Sequence, residues 1–410
     1  MEELKLGLDL CDGYTRLSCW GQEKTWTMPT VACRKKEEDV WLVGEEAYAS
    51  ALMGDGVIVD KLLKLVLKDG TSTISGTKYR GMEILQRFLE KVLLLPAPEA
   101  EGPVGNWVAQ LVVSVPHVEA RLLDCLIYCA DYLKIPRERV HVISHTEAFL
   151  YYVMSQKREM WNNQVGMFDL SEEGLCYYEM KVQRGMKQVA VVAEKEKLDE
   201  GFSLDILNSP SGMKLADKIL CACGERFLQK KLFSSVLLTG KGFENQDWAV
   251  EFMKIVCARR RVFVEPALFS QGAALKAMDL TQDKTSYPYV MLCEGRLDTT
   301  ISVKVLHQDK ENQLILAAAG DSWYEAKSTV DFILDNQNYL EFVITPSDPK
   351  KKKEVKMILE GFPERTDKTV RVQVQIGFLD ENIMAVAVRD KGFGDLYPST
   401  GAMIRQEVMI

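Results

Sequence analysis

Zinc-type cysteine spacing is missing from this chain. Its ten cysteines (Cys11, Cys19, Cys33, Cys125, Cys129, Cys176, Cys221, Cys223, Cys257 and Cys293) include no C-x-x-C pair, and only four histidines accompany them. Spacing alone therefore points to no zinc framework. Most of the cysteines sit in apolar runs as small hydrophobes, a usage that suits a reducing cytosol. Long apolar runs are missing too. Residues 107–115 form one of the longest, far short of the ~20 residues of a membrane helix. A basic surplus is absent: 51 Lys and Arg face 59 Asp and Glu, a net charge of −8. That balance excludes nucleic acid as the main partner. The start, Met1-Glu2-Glu3-Leu4-Lys5, has no apolar signal core behind basic residues. The expected location is cytoplasmic, with no membrane contact.

What is present is an ordinary globular composition: 410 residues, 47% hydrophobic and 27% charged. That length predicts two or three domains. Residues 4–10 alternate apolar and polar, Cys11-Asp12-Gly13 is a turn signal, and 15–20 return, so the chain opens with a hairpin. Helical periodicity marks 81–92. An apolar run at 108–115, ended by Pro116, reads as a strand buried on both faces. From there strands and helices alternate: helices at 118–133, 146–155, 212–229, 248–258 and 270–278, and strands at 139–143, 165–170, 235–239 and 261–264. The pattern predicts a layered α/β domain over residues 1–282. Glu194-Lys195-Glu196-Lys197 reads as an exposed turn. After 285 the helical period fades, and strands at 299–305, 340–344, 355–359, 370–376 and 383–388 alternate with turn clusters such as 308–312. Residues 285–410 are expected to form an all-β sandwich domain.

Three strand ends carry the candidate chemistry. Asp9 closes the first strand before the Gly13-Tyr14-Thr15 turn. Such a turn can offer backbone N–H groups to a phosphate, while the carboxylate orients magnesium-bound water. Asp169 closes a second buried strand before Ser171-Glu172-Glu173-Gly174. A third strand ends in Gly240-Lys241-Gly242. Any one of these is an ordinary turn; three in this order are far more specific.

In this order the sequence resembles the actin-like ATPase superfamily, and within it the seventy-kilodalton heat-shock chaperones; it looks closest to a bacterial branch. The Asp9 hairpin resembles their first phosphate loop, Val113-Ser114-Val115-Pro116 the strand before the connecting helix, and Asp169 the start of the second phosphate loop. Thr239-Gly240-Lys241-Gly242 resembles the adenosine loop and Gly272-Ala273-Ala274 the final helix. Val374-Gln375-Ile376, Asp380-Glu381-Asn382-Ile383 and Asp390-Lys391-Gly392 resemble the last strands of the peptide-binding sandwich. The resemblance implies a duplicated ribonuclease-H-like fold. It implies ATP or ADP contacts at Asp9, Gly13, Tyr14, Thr15, Asp169, Gly174, Gly240 and Gly242, and magnesium held through water by Asp9 and Asp169. Lys61 stands where the family places a Lys-Arg pair, so Lys61 and Asp169 are the catalytic candidates.

The departures matter as much as the matches. The family's second loop is a run of glycines; here two carboxylates, Glu172 and Glu173, stand in it. Cys11 and Lys241 each replace a family glycine, and Glu147 falls one or two positions late for the carboxylate before the connecting helix. The stretch between Asp169 and Val236 is short, and no long helix follows the β-domain to act as a lid. The expectation is a chaperone-like protein-binding or scaffold protein with a weak or absent nucleotide site, its protein or peptide partner held by the β-domain. The alternatives are a working ATP hydrolase and a structural, filament-forming relative.

Overall fold

The computed structural model describes residues 3–184, 188–198, 201–307, 310–365 and 368–410. Two compact units meet at Tyr289/Val290, a few residues beyond the 282/285 boundary expected from the polar stretch.

The first unit is built twice over. In its first half, β1 (Leu4–Leu10), β2 (Tyr14–Cys19) and β3 (Thr25–Pro29) form an antiparallel meander. Strand β4 (Val108–Val115) pairs parallel to β1, and β5 (Val140–Ser144) pairs parallel to β4. The sheet order is β5-β4-β1-β2-β3. The second half repeats it. Strands β6 (Gln164–Ser171), β7 (Gly174–Gln183) and β8 (Ala190–Lys197) form the meander. Strand β9 (Phe233–Thr239) pairs parallel to β6, and β10 (Arg261–Val264) parallel to β9. These five strands run β10-β9-β6-β7-β8, the same order and the same directions as the first sheet. The parallel strands β4 and β6 are nearly continuous buried runs, as strands covered on both faces must be.

Between β3 and β4 lies a small subdomain. It holds a three-stranded sheet, a hairpin and helices that include α1 (Leu62–Leu67). Helix α2 (His145–Ser155) starts where β5 ends, and Ser144 Oγ caps it by accepting the Glu147 N–H at 3.2 Å. Only a short 3-10 turn and α3 (Pro210–Leu228) separate β8 from β9 among the described residues. Ser209 caps α3 and Pro210 starts it. Asp217 on α3 accepts the backbone N–H groups of Glu251 and Phe252, fixing the start of α4 (Val250–Cys257). Helix α5 (Leu268–Asp279) crosses β1 and α2 at very short range.

One expectation fails here. Residues Glu194–Lys197 are the end of β8 and not a turn: the pairing runs from Cys176↔Lys197 to Gln183↔Ala190. A charged side chain does not stop a residue from pairing its backbone when the side chain reaches solvent or a polar partner.

The second unit is all β apart from one 3-10 turn among the described residues. One antiparallel sheet contains β11 (Thr299–His307), β12 (Lys310–Ala317), β14 (Tyr339–Pro346) and β15 (Lys353–Ile358). The other contains β13 (Ser328–Ile333), β16 (Arg371–Asp380), β17 (Ile383–Asp390) and β18 (Met403–Met409). Their orders are β12-β11-β14-β15 and β13-β16-β17-β18. Alternate residues of β16 and β17 (Val372, Val374, Ile376, Met384, Val386 and Val388) are buried. That is the pattern of a sheet with one covered face. The turn expected at 308–312 falls partly outside the described residues, and Lys310 already opens β12.

Candidate functional site: two buried strand ends in one unit

The duplication puts Asp9 and Asp169 at matching places. Asp9, on β1, registers with Ser114 of β4 and Arg16 of β2. Asp169, on β6, registers with Thr239 of β9 and Cys176 of β7. Both carboxylates are buried. The paired hydroxyls match as well: Ser114 Oγ and Thr239 Oγ1 are buried with no hydrogen-bond partner among the described residues, as is Asp169 Oδ1.

The first loop is held by contacts of its own. The Cys11 N–H is already bonded to the Tyr14 carbonyl at 3.0 Å. Thr15 Oγ1 is taken by Thr30 Oγ1 at 2.8 Å. The Tyr14 ring lies 4.7 Å from the Arg16 guanidinium. Arg16 is itself buried and donates to the Pro266 carbonyl and, at 3.1 Å, to Glu244. The space beside Gly13 is filled: a Cβ there would lie 1.7 Å from Glu172 Oε2.

Glu172 is thus the residue that packs on Gly13. It sits at the tip of the two-residue hairpin between Ser171 and Gly174, whose φ of 109° needs glycine. Its carboxylate reaches back to Gly13, and Oε1 faces Lys241 Nζ at 3.7 Å. Glu172, in the turn between β6 and β7, and Lys241, after β9, therefore meet each other. The glycines of the third loop serve packing. A Cβ on Gly240 would lie 2.4 Å from the Leu170 carbonyl and 2.6 Å from Asp169 Oδ1, and one on Gly242 would strike the Leu170 side chain.

Lys61 is exposed and has a left-handed φ of 51° at the start of α1. The lysine that reaches the first loop is Lys64, whose Nζ pairs with Asp12 at 3.3 Å while Asp12 Oδ1 accepts its backbone N–H at 3.1 Å. Glu147 makes a buried 2.8 Å ion pair with Lys276.

From the sequence, His145 near a strand end reads as an ordinary hydrogen-bonded histidine, and nothing there links it to Asp9 or Cys11. As the first residue of α2, its Nε2 lies 2.8 Å from Asp9 Oδ1, and its ring stacks on Phe269 at 3.8 Å. Cys11 Sγ completes a triangle, 3.6 Å from Asp9 Oδ1 and 3.8 Å from His145 Nε2. A His that opens a helix just after a strand is the only trace of this in the sequence.

Burial drives the titration of the region, and the acidic neighbours add to it. Burial and then Asp9 push the Cys11 thiol and the Tyr14 phenol well above their ordinary values. Burial and then Asp9 raise Asp169 to about 7, and burial with Asp169 raises Cys176 to about 11. The folded state thus binds a proton on Asp169 that the unfolded chain gives up near pH 4. The stability that Asp169 contributes is fully present below its ordinary pKa of 3.8 and is lost as pH rises towards 7. Asp169→Asn should therefore be more stable than the parent at pH 8, by a few kcal/mol at most given ~1.4 kcal/mol per pH unit. At pH 4 the two should be equal. Denaturant midpoints at both pH values check this, and an equal or lower midpoint for the variant at pH 8 contradicts it.

A second surface lies on the second unit. Its β13-β16-β17-β18 sheet carries an open groove of about 820 Å³. The floor is made of small residues, Gly377, Ala385 and Ala387, and Lys327, Thr329, Arg405 and Glu407 stand at its sides. The register rows Thr329–Gln375–Ala387–Arg405 and Gly377–Ala385–Glu407 place these side chains on one face.

Comparison with known families assigns both parts. The family of unknown function DUF5716, C-terminal part, matches residues 13–294, and the chain belongs to that family. The domain of unknown function DUF8552 matches residues 296–410. No curated protein matches the chain. Among the described residues, no helix is long and apolar enough to cross a membrane.

Proposed function

We propose that this chain is an actin-like, chaperone-related binding or scaffold protein whose nucleotide site is closed by its own Glu172. Its protein or peptide partner is held by the second unit. The repeated sheet order, with Asp9 and Asp169 at equivalent strand ends, supports the actin-like reading. The single observation that carries the functional reading is the Glu172 carboxylate packed on Gly13 and paired with Lys241. It occupies space that a phosphate would need and brings charge of the same sign. At this partly exposed position the like charge is screened and adds about 1 kcal/mol at most, so the occupied space beside Gly13 is the stronger argument. The 3.7 Å pair to Lys241 is exposed and adds little stability, so its role is to aim Glu172. The groove over Gly377, Ala385 and Ala387 is the proposed partner surface. Among the described residues of the second unit no α-helix covers it, so ordering an extended peptide is offset by the groove alone and generic unfolded peptides should bind weakly.

Calorimetry with ATP and magnesium tests the reading. The parent should give no measurable heat, and Glu172→Gly with Glu173→Gly should gain binding. Micromolar binding with turnover in the parent would establish the working ATP hydrolase instead, and an unchanged double variant would remove Glu172 as the cause. On the partner side, Ala385→Arg in the full chain should abolish partners recovered by the parent from cytoplasmic extract. Equal recovery would move the contact elsewhere.

A further inference from the structure

Cys11 stands where the resemblance expects a glycine, and tertiary folding brings it against a histidine from 134 residues away. We propose that Asp9, Cys11 and His145 form a divalent transition-metal site, with zinc(II) as the fitting ion.

The donor triangle has edges of 2.8, 3.6 and 3.8 Å between Asp9 Oδ1, Cys11 Sγ and His145 Nε2. Zinc bonds of ~2.0–2.3 Å at tetrahedral angles require donor separations of about 3.3–3.6 Å. The two sulfur edges are already close to that. The short edge is the Asp9–His145 hydrogen bond. On zinc binding the proton shared between Nε2 and Asp9 is released to solvent, both atoms become metal donors, and the edge opens by about half an ångström. The Cys11 thiol proton is released to solvent. No electron transfer or co-reactant is involved.

The donor set selects the metal. A thiolate with an imidazole and one carboxylate suits zinc and its first-row neighbours, whereas magnesium and calcium prefer all-oxygen sites. The ring orientation is already fixed, because His145 is stacked on Phe269 with an interplanar angle of 7°. Three protein donors leave one position for a water.

A second, independent observation is the buried charge around the triangle. Asp9 and Asp169 are both buried, and Asp169 Oδ1 has no hydrogen-bond partner among the described residues. The nearby buried cation, Arg16, is committed to the Pro266 carbonyl and to Glu244. A buried carboxylate oxygen without a partner, as Asp169 Oδ1 is, is costly. Zinc(II) balances one thiolate and one carboxylate and lowers the local negative potential felt by Asp169. This inference does not rest on the nucleotide reading: a metal here is compatible with either an empty or an occupied nucleotide site.

The test uses the full chain, depleted of metal with a chelator and then titrated with zinc chloride against a chromophoric competitor. Equimolar, submicromolar binding is expected, with a rise in the melting temperature that grows with free zinc. Cobalt(II) in place of zinc should give a thiolate-to-metal charge-transfer band in the near ultraviolet and the visible bands of a tetrahedral ion. Cys11→Ser should abolish the charge-transfer band and weaken zinc binding at least a hundredfold, while Cys33→Ser leaves both unchanged. His145→Asn can keep a hydrogen bond to Asp9 but removes a metal donor, and it should lose the zinc-dependent rise in melting temperature. If either variant fails to fold, the parent's cobalt spectrum decides. An octahedral spectrum without a sulfur band would overturn the proposal. So would zinc binding that survives in a folded Cys11→Ser protein.

Discussion

Lys276→Met should destabilise the first unit by about 3–5 kcal/mol, the scale seen when one partner of a buried ion pair is removed. Lys276 on α5 and Glu147 on α2 are 2.8 Å apart, with side chains 6% and 2% exposed. The variant keeps the length of the lysine stem but strips a deeply buried carboxylate of its ammonium partner. Adding Glu147→Leu should restore most of the loss, because two apolar groups of similar volume carry no desolvation penalty. The pair also has a positional role. Glu147 lies two residues after His145, and Lys276 lies two turns after Phe269, so the same ion pair locks the helices whose first turns hold the His145–Phe269 stack. Urea midpoints for the single and double variants measure both effects. A loss below ~1 kcal/mol for Lys276→Met, or a double variant worse than the single, would show that the pair does not hold the helices together.

The other large effect is steric. Gly272→Ala and Gly7→Ala should each cost at least about 3 kcal/mol, the upper range for overpacking, because the atoms in the way are backbone. A Cβ on Gly272 would lie 2.0 Å from the Ala148 carbonyl oxygen, and one on Gly7 would lie 2.1 Å from both the Ser270 carbonyl and the Ala274 nitrogen. These two glycines let α5 press against α2 on one side and β1 on the other. Ser18 Oγ to Ser270 Oγ at 2.8 Å ties the same helix to β2. Gly377→Ala on the open face of the second unit is the control. Its nearest neighbour would be Lys327 Cγ at 3.9 Å, so its stability should change by less than about 0.5 kcal/mol. Melting temperatures of the three variants settle it, and a Gly272→Ala protein as stable as the control would mean that α5 can slide away from α2.

Local chemistry made much of this protein legible from its sequence. The apolar runs that became β4 and β6, the helical periods of α2, α3 and α5, and the turns after Asp9, Asp169 and Thr239 all depend on residues within a few positions of each other. Strands with weak alternation were harder to see. Met403–Met409 and Ser328–Ile333 flank their sheet and leave most of their side chains partly or fully exposed, so little apolar pattern marks them. The charges of Glu194–Lys197 point to a turn, yet charge describes where a side chain goes and not whether its backbone pairs.

The site itself was decided by tertiary structure. The sequence placed Asp9, Asp169 and three glycine turns at strand ends, and it flagged Glu172, Cys11 and Lys241 as departures. It could not show that Glu172 meets both Gly13 and Lys241, that Lys64 and not Lys61 reaches the first loop, or that His145 closes on Asp9 and Cys11. Those contacts join residues between 52 and 159 positions apart. They form because two copies of one sheet topology, with helices packed at glycine range, bring distant strand ends together. Backbone propensity acts over a few residues, whereas a buried carboxylate takes whichever partner the packing leaves beside it.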